Sequence, residues 1–592
     1  MASTLMGASF AFDTQSFSQS KTWLRLLQYE KVSTGYESRI DAPSFFLAKN
    51  GKTNPLKELE ATISAFKENK IYQGNIEQPI KCAFAARYRL LKDHLNLSPQ
   101  EKCDDYFFWK NGLDASSLSL IFASSYPNNP ASIFGHTFMR INSHKSKKAK
   151  RKRDILDYGL NYAATTGSDG GIEFAIFGVF GLYEGHFSMA PYYIKVNEYN
   201  NYESRDLFEY ELKLTQKQVE LFIDMIWEIE SNGFSHYYFF DENCSFQLLA
   251  LMEALFPEKS FLKNLPFYVS PIDTVKVLID EKIAIYKTHR PSLRSEFLNR
   301  FNQLTISQKN ELDSLLKGDQ SNYSITSLDT ALYYYKYKSF KEKHLLKKED
   351  KALYQSLLDL RSKESGHYNV TIKEDSLPHF AHGPQKFSFG YLNRFDENFL
   401  TINFRLGWHD ELDPDLGHIP FSRLELLKIS TILNENQFKL DRFTLIDVLS
   451  IEPSNHQLTP SYAWKISHEK TFLAQRRETF IELGPGVAFE SLSGSMRFFS
   501  LIKTKLSLSE ELKNNHDLRL IPNIGLIIKG SLNASIEALI QRSLTKRKQI
   551  NEGPLLKLSL SLPLKGQQLR LKTLYALEER EHEIELNFSF SY

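Results

Sequence analysis

The stretch "EIELNFSFSY" (583–592) alternates apolar and polar side chains along its whole length. On an extended chain, one face of this stretch carries Ile584, Leu586, Phe588, Phe590 and Tyr592. The other face carries Glu585, Asn587, Ser589 and Ser591. A strand that turns apolar side chains to one side and polar ones to the other is typical of a wall between lipid and a polar interior. The stretch therefore predicts one strand of a transmembrane β-barrel.

Similar segments fill the sequence before it, starting with "KFSFGYLNR" (386–394). With the last stretch they number about twelve, each of about ten residues, which is the segment length expected of an outer-membrane barrel. The even number and the aromatic last residue favour a closed antiparallel barrel over residues 384–592. The alternative is a soluble β-sandwich with one wet face.

The 592 residues are enough for several domains, and the character of the sequence changes along the chain. The fold class predicted is multidomain: an α-helical N-terminal region, an α+β domain with strand-like segments such as "YYIKVNEY" (192–199), a second helical region and the barrel. The predicted boundaries are 1–19 for a signal-peptide remnant or disordered segment, 20–115 for the helical region, 116–270 for the α+β domain, 271–383 for the second helical region, and 384–592 for the barrel.

Charge and the first residues indicate where the protein works. The formal net charge is only +2, which does not favour a nucleic-acid partner. The opening "MASTLMGASFAFDTQS" is similar to the end of a signal peptide, with small residues near a cleavage site. We therefore expect an exported protein, the alternative being an ordinary disordered N-terminus.

Only three cysteines occur in the chain. Cys82 and Cys103 are the natural disulfide pair in an oxidising compartment, which leaves Cys244 unpaired. The alternative is that Cys82 and Cys103 are two buried free thiols.

Cys244 lies in "FFDENCSFQLLALMEALFP" (239–257), where apolar spacing predicts an amphipathic helix that begins near the cysteine. The free N–H groups and dipole of a helix start stabilise a thiolate. A nucleophilic thiol also needs a base, and His136 in "NNPASIFGHTFMRI" (128–141) is the best candidate. The alternative is that His136 is a core histidine on an apolar strand. The other candidate histidines are His144, His186 and His236.

Three segments now carry a resemblance: "SIFGHTFMRI" (132–141), "YYIKVNEYNNYESRDLFEYELKLT" (192–215) and "YYFFDENCSFQLL" (237–249). They resemble the Lnb N-terminal periplasmic domain family, lipoprotein N-acyltransferases related to permuted NlpC/P60-like and lecithin-retinol acyltransferase-like thiol enzymes. The resemblance covers roughly residues 115 to 260. It implies a permuted papain-like fold with Cys244 as nucleophile and His136 as base.

The remaining site residues are less firmly indicated. Asn161 is the first candidate for orienting the imidazole, with Asp157 second. Asn243 and Ser132 are candidates for supporting the helix start and the oxyanion. Three aromatic residues in the apolar stretch "GIEFAIFGVFGLYEGHFSMAPYY" (171–193) are candidates for holding an acyl chain: Phe174, Phe177 and Phe180. Core packing is the alternative for that stretch.

The function expected is transfer of an acyl chain from a phospholipid to the α-amine of a lipoprotein through a thioester on Cys244. The expected location is the outer membrane of a Gram-negative bacterium, with the catalytic domain in the periplasm. The alternatives are a peptidoglycan amidase or endopeptidase of NlpC/P60 type, and a non-catalytic barrel that carries a binding module. No cofactor and no metal site are expected, because the sequence has neither HExxH nor paired CxxC.

Overall fold

The computed structural model describes the chain from Phe12 to Tyr592 with internal gaps. The residues outside the description are 1–11, 75, 127–134, 149–153, 166–176, 179–180, 240–241, 267–268, 343–344, 367–376, 436, 454–460, 471–475, 492, 513–514 and 546–552. The chain forms two compact units, the first comprising residues 1–124 and 134–344 and the second comprising 125–133 and 345–592. The five predicted segments are finer than this division, and their boundaries stay predictions.

The first unit contains most of the helices. The α-helices are α1 (Thr14–Ser18), α2 (Lys21–Leu26), α3 (Pro55–Glu68), α4 (Ile80–Ala83), α5 (Ala85–Leu95), α6 (Asp104–Leu113), α7 (His144–Lys148), α8 (Tyr192–Lys195), α9 (Gln216–Asn232), α10 (Cys244–Ala254), α11 (Pro271–Asp280), α12 (Leu293–Gln303), α13 (Ile306–Leu316) and α14 (Ile325–Lys341). The π-helix Val196–Tyr202 continues α8, and 3₁₀ turns occur at Pro43–Phe45, Gly51–Thr53, Asp154–Leu156 and Leu262–Asn264. In the part of the chain that the structure describes, no helix is long and apolar enough to cross a membrane.

Seven strands of this unit form one antiparallel sheet. The strands of the unit are β1 (Tyr29–Val32), β2 (Gly35–Ser38), β3 (Ile71–Gln73), β4 (Glu77–Pro79), β5 (Ala115–Ala123), β6 (His136–Ser143), β7 (Tyr158–Ala164), β8 (Tyr183–Pro191), β9 (Leu207–Leu212), β10 (Ser235–Tyr237) and β11 (Ala284–Arg290). The sheet has the order β10-β8-β7-β6-β5-β9-β11, while β1 pairs with β2 and β3 with β4. Neighbouring strands are antiparallel throughout.

Three local expectations need correction. The N-terminal region predicted to be helical also holds the hairpins β1–β2 and β3–β4. The segment "YYIKVNEY" (192–199), expected as a strand, is helical, because Tyr192, Val196 and Tyr199 have the spacing that puts them together in one buried cluster. The region 271–383 contains β11, a mostly polar edge strand whose pattern hides its role in the sheet.

Helix α10 begins at Cys244, as the sequence predicts, but it is not amphipathic. All eleven of its residues are buried. It contacts β6 and β7 of the sheet and also α2 and α11, so no face of it is left for solvent. A helix surrounded by other elements is apolar all round, which explains why its apparent polar face was misread from the sequence.

The second unit is dominated by long strands. Its helices are α15 (Lys348–Arg361) and the 3₁₀ turn Pro378–Phe380. Its strands are β12 (Lys386–Arg394), β13 (Glu397–His409), β14 (Arg423–Asn434), β15 (Gln437–Ser450), β16 (Ser461–Lys470), β17 (Arg477–Glu490), β18 (Met496–Leu508), β19 (His516–Ile528), β20 (Asn533–Ile540), β21 (Arg542–Ser543), β22 (Pro554–Leu564), β23 (Gln567–Ala576) and β24 (His582–Ser591).

These strands close into a ring. Each long strand pairs antiparallel with its neighbours along the chain, β12 pairs with β24, and the two-residue β21 attaches to β19. The described residues thus form a closed antiparallel barrel of twelve long strands, and the barrel prediction is confirmed. Closure leaves no free sheet edge, which is the condition for a sheet to exist in lipid.

The alternation predicted for the last strand is confirmed by exposure. Ile584 and Leu586 are 39% and 45% exposed on the outside of the barrel. Asn587 and Ser589 are each 3% exposed and face the interior. Inside, the Thr401 hydroxyl donates to the Asn587 side-chain oxygen at 3.1 Å. The outer surface is therefore apolar and the lumen polar, as a transmembrane barrel requires.

Candidate active site

The helix start around Cys244 is built by Asn243. The Asn243 side-chain oxygen accepts hydrogen bonds from the backbone N–H groups of Ser245 and Phe246. Its side-chain nitrogen donates to the carbonyl oxygens of Phe239 and Val269. Both ends of the amide are thus engaged, so Asn243 holds the first turn of α10 in place. As the helix N-cap it is not left with a free donor for an oxyanion.

The structure brings His136 to Cys244. His136 is the first residue of β6, and Gly135 before it has a φ of +78°, a left-handed conformation that glycine adopts without strain. Because α10 contacts β6, the Cys244 Sγ lies 3.0 Å from the His136 Nδ1. Two residues 108 positions apart in sequence are therefore within hydrogen-bonding distance.

Asn161 on β7 completes a chain of three side chains. Its Oδ1 lies 2.6 Å from the His136 Nε2. A carboxamide oxygen can only accept, so the His136 Nε2 carries the hydrogen and donates it. The Nδ1 is then left with the lone pair that faces the Cys244 thiol, which is the tautomer a general base needs. The second candidate, Asp157, is engaged elsewhere by the hydroxyls of Ser143 and Ser146.

The site is desolvated, and this sets its protonation state. Burial lowers the pKa of His136 to about 3, and the positive charge of Arg205 acts in the same direction. Burial raises the pKa of the Cys244 thiol, while the Thr137 N–H and the Arg205 charge oppose that rise. At neutral pH the resting pair is therefore an uncharged thiol and an uncharged imidazole.

Sequence reasoning missed Tyr199 and Arg205 as parts of the site. The Tyr199 ring lies 5.2 Å from the His136 ring, and the Arg205 guanidinium lies 5.3 Å from the same Tyr199 ring. Arg205 is held by the carbonyl oxygens of Ala123 and Ser124 and pairs with Glu203 at 3.0 Å. No pattern in the sequence indicates that the Arg205 cation lies near the His136 imidazole.

Tyr237 was also missed. It is the last residue of β10, seven positions before Cys244, and its hydroxyl interacts with both the thiol and the backbone N–H of Cys244. Burial raises the pKa of Tyr237 well above its usual value, so the phenol keeps its proton. An aromatic residue in a run of four ("YYFF", 237–240) gave no signal that one hydroxyl reaches the cysteine.

The remaining predicted residues divide into two groups. Ser132, Phe174 and Phe180 lie outside the described residues, so their roles stay predictions. Phe177 is 36% exposed, and the Phe239 N–H donates to the carbonyl oxygen of the adjacent Gly178 at 2.9 Å. The segment around Phe177 is thereby tied to the chain that leads into α10.

The other candidate histidines occupy different environments. His144 is half exposed and lies 3.3 Å from Asp114, and exposed His186 lies 3.2 Å from Glu184. His236 is on β10, where its backbone N–H donates to Asp41. Among the described histidines, the geometry singles out His136 as the partner of the thiol.

The cysteines follow the expected division. Cys82 on α4 and Cys103 at the start of α6 form a disulfide with a Cα–Cα distance of 5.4 Å. Cys244 is the free cysteine. The cross-link ties together two helices of the first unit and leaves a single thiol for chemistry.

Comparison with known proteins gives matches at the level of domains. Residues 106–281 match the Lnb N-terminal periplasmic domain, and residues 15–94 and 375–592 match two domains of unknown function, DUF7843 and DUF7840. The chain carries an Lnb-type domain. No curated protein matches the chain.

Solved structures similar to the chain include a porin and domains of two autotransporters. The porin NanC shares 6% identity over 35% of this chain and 100% of its own, with a TM-score of 0.24. The β-domain of the Bordetella autotransporter Brka shares 11% over 36% and 100%, with a TM-score of 0.19. The translocator domain of the autotransporter NalP from Neisseria meningitidis shares 11% over 36% and 86%, also at 0.19. At such scores the barrel assignment depends on the strand pairing of this chain.

The closed barrel with its apolar outer face, together with the Lnb-type domain, gives the location. The protein is an outer-membrane β-barrel protein with a periplasmic domain.

Proposed function

We propose that the protein is a lipoprotein N-acyltransferase that moves an acyl chain from a phospholipid to the α-amine of a lipoprotein's N-terminal diacylglyceryl-cysteine. The observation that carries the proposal is the chain from Cys244 to His136 to Asn161, with distances of 3.0 and 2.6 Å, inside an Lnb-type domain. A buried thiol beside an oriented imidazole is the arrangement required for covalent acyl transfer.

In the first half-reaction the thiol proton passes to the His136 Nδ1 as Cys244 Sγ attacks the ester carbonyl of the phospholipid. The tetrahedral intermediate collapses when the ester C–O bond breaks, and the imidazolium donates its proton to the leaving alkoxide. The products are a thioester on Cys244 and a lysophospholipid. Because His136 starts uncharged, it can accept the proton at the moment of attack.

The negative charge on the intermediate's oxygen needs donors near Cys244. The N–H groups of Ser245 and Phe246 are taken by the Asn243 cap. In the resting site the Cys244 backbone N–H interacts with the Tyr237 hydroxyl oxygen, which the intermediate's oxygen replaces as the acceptor when it forms. Tyr237 keeps its proton because burial raises its pKa, so its hydroxyl can donate to the same oxygen. We assign these two donors to the oxyanion.

In the second half-reaction the lipoprotein amine attacks the thioester. His136 takes a proton from the attacking amine, the C–S bond breaks, and the Cys244 thiol is restored. The net result is one amide and one lysophospholipid from one ester and one amine. A thioester suits this step because it reacts with amines more readily than an oxygen ester does.

Access to lipid is supported by the location and by an apolar rim. The segment around Phe177 is tied to the chain before α10, and Leu182 in the same segment is 61% exposed. An exposed leucine and phenylalanine in a segment bonded to the chain that leads into α10 favour an acyl chain over a glycan as the substrate.

The experiment is intact-mass analysis of the full-length protein after incubation with a phospholipid carrying a labelled acyl chain, and separately with muropeptides. We expect an acyl adduct on Cys244 that disappears when an N-terminal diacylglyceryl-cysteine peptide is added. Cys244→Ala should form no adduct, and Tyr237→Phe should slow its formation by about 10²–10³-fold through loss of one oxyanion donor. Cleavage of muropeptides without any acyl adduct would replace the proposal with an amidase.

A further inference from the structure

The loop between β13 and β14, residues 410–422, folds into the barrel; we call it the lumen loop. The carboxylate of Asp410 accepts two hydrogen bonds from Arg570 on β23, at 2.6 and 2.9 Å. The Lys529 ammonium and the Asn533 amide donate to carbonyl oxygens of the loop at 3.0 and 3.1 Å. Leu412 in the loop is 2% exposed. The loop is therefore bonded to strands on several sides of the ring.

Three histidines meet where this loop joins the barrel. His382 precedes β12, His409 ends β13, and His418 lies on the lumen loop. One ring nitrogen from each lies within 4.8 Å of the other two. Each of the three histidines comes from a different segment of the second unit, so a ligand shared by their rings would join the loop to the wall of the barrel.

The hydrogen bonds of His382 prepare one nitrogen for a ligand. Its Nδ1 lies 2.7 Å from the carbonyl oxygen of Gly383, so Nδ1 carries the hydrogen. The lone pair is then on Nε2, which points at the His409 Nδ1 at 3.1 Å. A histidine that donates one ring N–H to a backbone carbonyl and presents the other nitrogen has the arrangement usual for metal ligands.

His409 is left with an unsatisfied nitrogen. It is 3% exposed, and its Nε2 is buried with no hydrogen-bond partner among the residues that the structure describes. A carboxylate oxygen of Asp415 is 3.8 Å from this nitrogen, beyond hydrogen-bonding distance. A buried unsatisfied ring nitrogen costs about 1–3 kcal/mol, so the site is incomplete as three imidazoles alone.

We infer that one divalent first-row transition metal ion, such as Zn²⁺, is bound by His382, His409 and His418. The ion holds the lumen loop against the barrel wall. Three imidazoles and a water are a common ligand set for Zn²⁺. If His409 binds the ion through Nδ1, its Nε2 carries the hydrogen and can donate it to Asp415. Such a carboxylate–histidine–metal arrangement is common at metal sites. The ion replaces the hydrogen bond between the His409 Nδ1 and the His382 Nε2 by two bonds to a cation.

The geometry needs a small adjustment. Nitrogens bound to one zinc ion at about 2.0–2.1 Å in a tetrahedral site lie about 3.3–3.4 Å apart. The pair from His382 and His409 is already at 3.1 Å, while the His409 and His418 rings are stacked with centroids 4.3 Å apart. The His418 nitrogen lies within 4.8 Å of the other two, so its ring has to move closer for all three nitrogens to reach one ion.

Carboxylates and cations both surround the three histidines. Asp413 lies 3.8 Å from the His382 Nε2, and Asp415 lies 3.8 Å from His409. Lys529 pairs with Asp415 at 2.7 Å. Asp413 is shared by Arg405, Lys386 and Arg570, at 2.9, 2.6 and 3.1 Å. A bound ion is therefore favoured by the imidazole nitrogens and not by the local net charge.

The test is zinc binding to the full-length protein in detergent, carrying Cys244→Ala and a tag without histidine so that neither competes. After treatment with a chelator, bound zinc is measured by mass spectrometry of the metal and by competition with a chromophoric chelator. We expect one zinc per chain. His382→Ala and His418→Ala should each abolish stoichiometric binding, and Asp415→Asn should weaken it by about tenfold.

The matched control is His379→Ala, which removes a histidine three residues from His382 and outside the cluster. It should bind zinc like the parent. Heat-modifiable gel migration checks that each variant keeps its barrel, and glutamine replaces alanine at any position where it does not. The inference is overturned if the parent binds no stoichiometric zinc, or if folded variants of His382 and His418 bind as well as the control.

Discussion

The seven-stranded sheet of the first unit and the barrel of the second are both antiparallel, yet their sequences differ in kind. Strand β24 alternates because its outer face meets lipid and its inner face meets a polar lumen. Strand β6 is buried at six consecutive positions, from Thr137 to Asn142, because both faces of the sheet are covered. Alternation thus reveals a strand whose two faces have different surroundings, and it disappears where both faces are covered.

The same difference governs the chemistry of the two regions. Polar groups that face the barrel lumen share a large polar interior, part of which is a cavity of 260 Å³ lined by charged side chains. At the candidate active site, burial is the largest cause that moves the pKa values of both His136 and Cys244 toward their neutral forms. Substitutions at the desolvated active site should therefore change the reaction rate, whereas substitutions in the barrel wall should change the stability of the barrel.

The largest effect is expected at the covered sheet. His136→Ala should lower acyl transfer by about 10²–10⁴-fold, because it removes the general base while the barrel is untouched. His186→Ala is the matched control, since this exposed histidine lies on β8 of the same sheet. Single-turnover formation of the acyl adduct on Cys244 measures both. Equal rates for the two variants would remove His136 from the mechanism.

An intermediate effect is expected at the barrel wall. Leu558→Arg and Ser559→Arg change adjacent residues of β22, of which Ser559 lines the lumen cavity. Leu558 has the opposite orientation and faces outward. Leu558→Arg should therefore lower the free energy of unfolding by about 2–4 kcal/mol if the position is near the middle of the bilayer, and Ser559→Arg should lower it much less.

Membrane assembly and heat-modifiable gel migration of the two variants measure this difference. A barrel that tolerates both substitutions equally would mean that its outer face does not meet lipid, and the contrast between the two sheets would be lost.

The smallest effect is a pH dependence at the site. Because burial raises the pKa of the Cys244 thiol, the thiolate fraction should rise about tenfold per pH unit between pH 6 and 9. Alkylation by iodoacetamide should follow that slope, and it should show no inflection near pH 6.5, because the pKa of His136 is lowered to about 3. The other two cysteines do not interfere, since they form a disulfide. A plateau at neutral pH would indicate a preformed thiolate–imidazolium pair instead.

The barrel was predictable almost strand by strand. Every one of the twelve long strands coincides with an alternating segment of the sequence, and the inward position of Asn587 and Ser589 follows from the period of two. The structural reason is local, because in each strand the residues that face lipid are apolar and those that face the lumen are polar. The hydrogen bonds between β12 and β24, which are about 200 residues apart, then close the barrel that the alternating pattern predicts.

In the first unit, local patterns were less informative. The edge strand β11 and the helix at Tyr192 were misassigned, and the fully buried α10 was taken as amphipathic. Each error occurs where packing against other elements, and not contact with solvent, decides which side chains are apolar.

The sequence by itself determined the twelve alternating strands, the cysteine at a helix start and the choice of His136 as its candidate base. Only the tertiary structure decided that the Asn161 amide contacts the His136 imidazole, that Tyr237 interacts with the Cys244 thiol, and that three histidines of the second unit meet beside the lumen loop. The physical reason is that alternation and helix capping depend on neighbours a few positions away. A hydrogen bond between side chains on different elements depends on sheet register and helix packing, which no local pattern records.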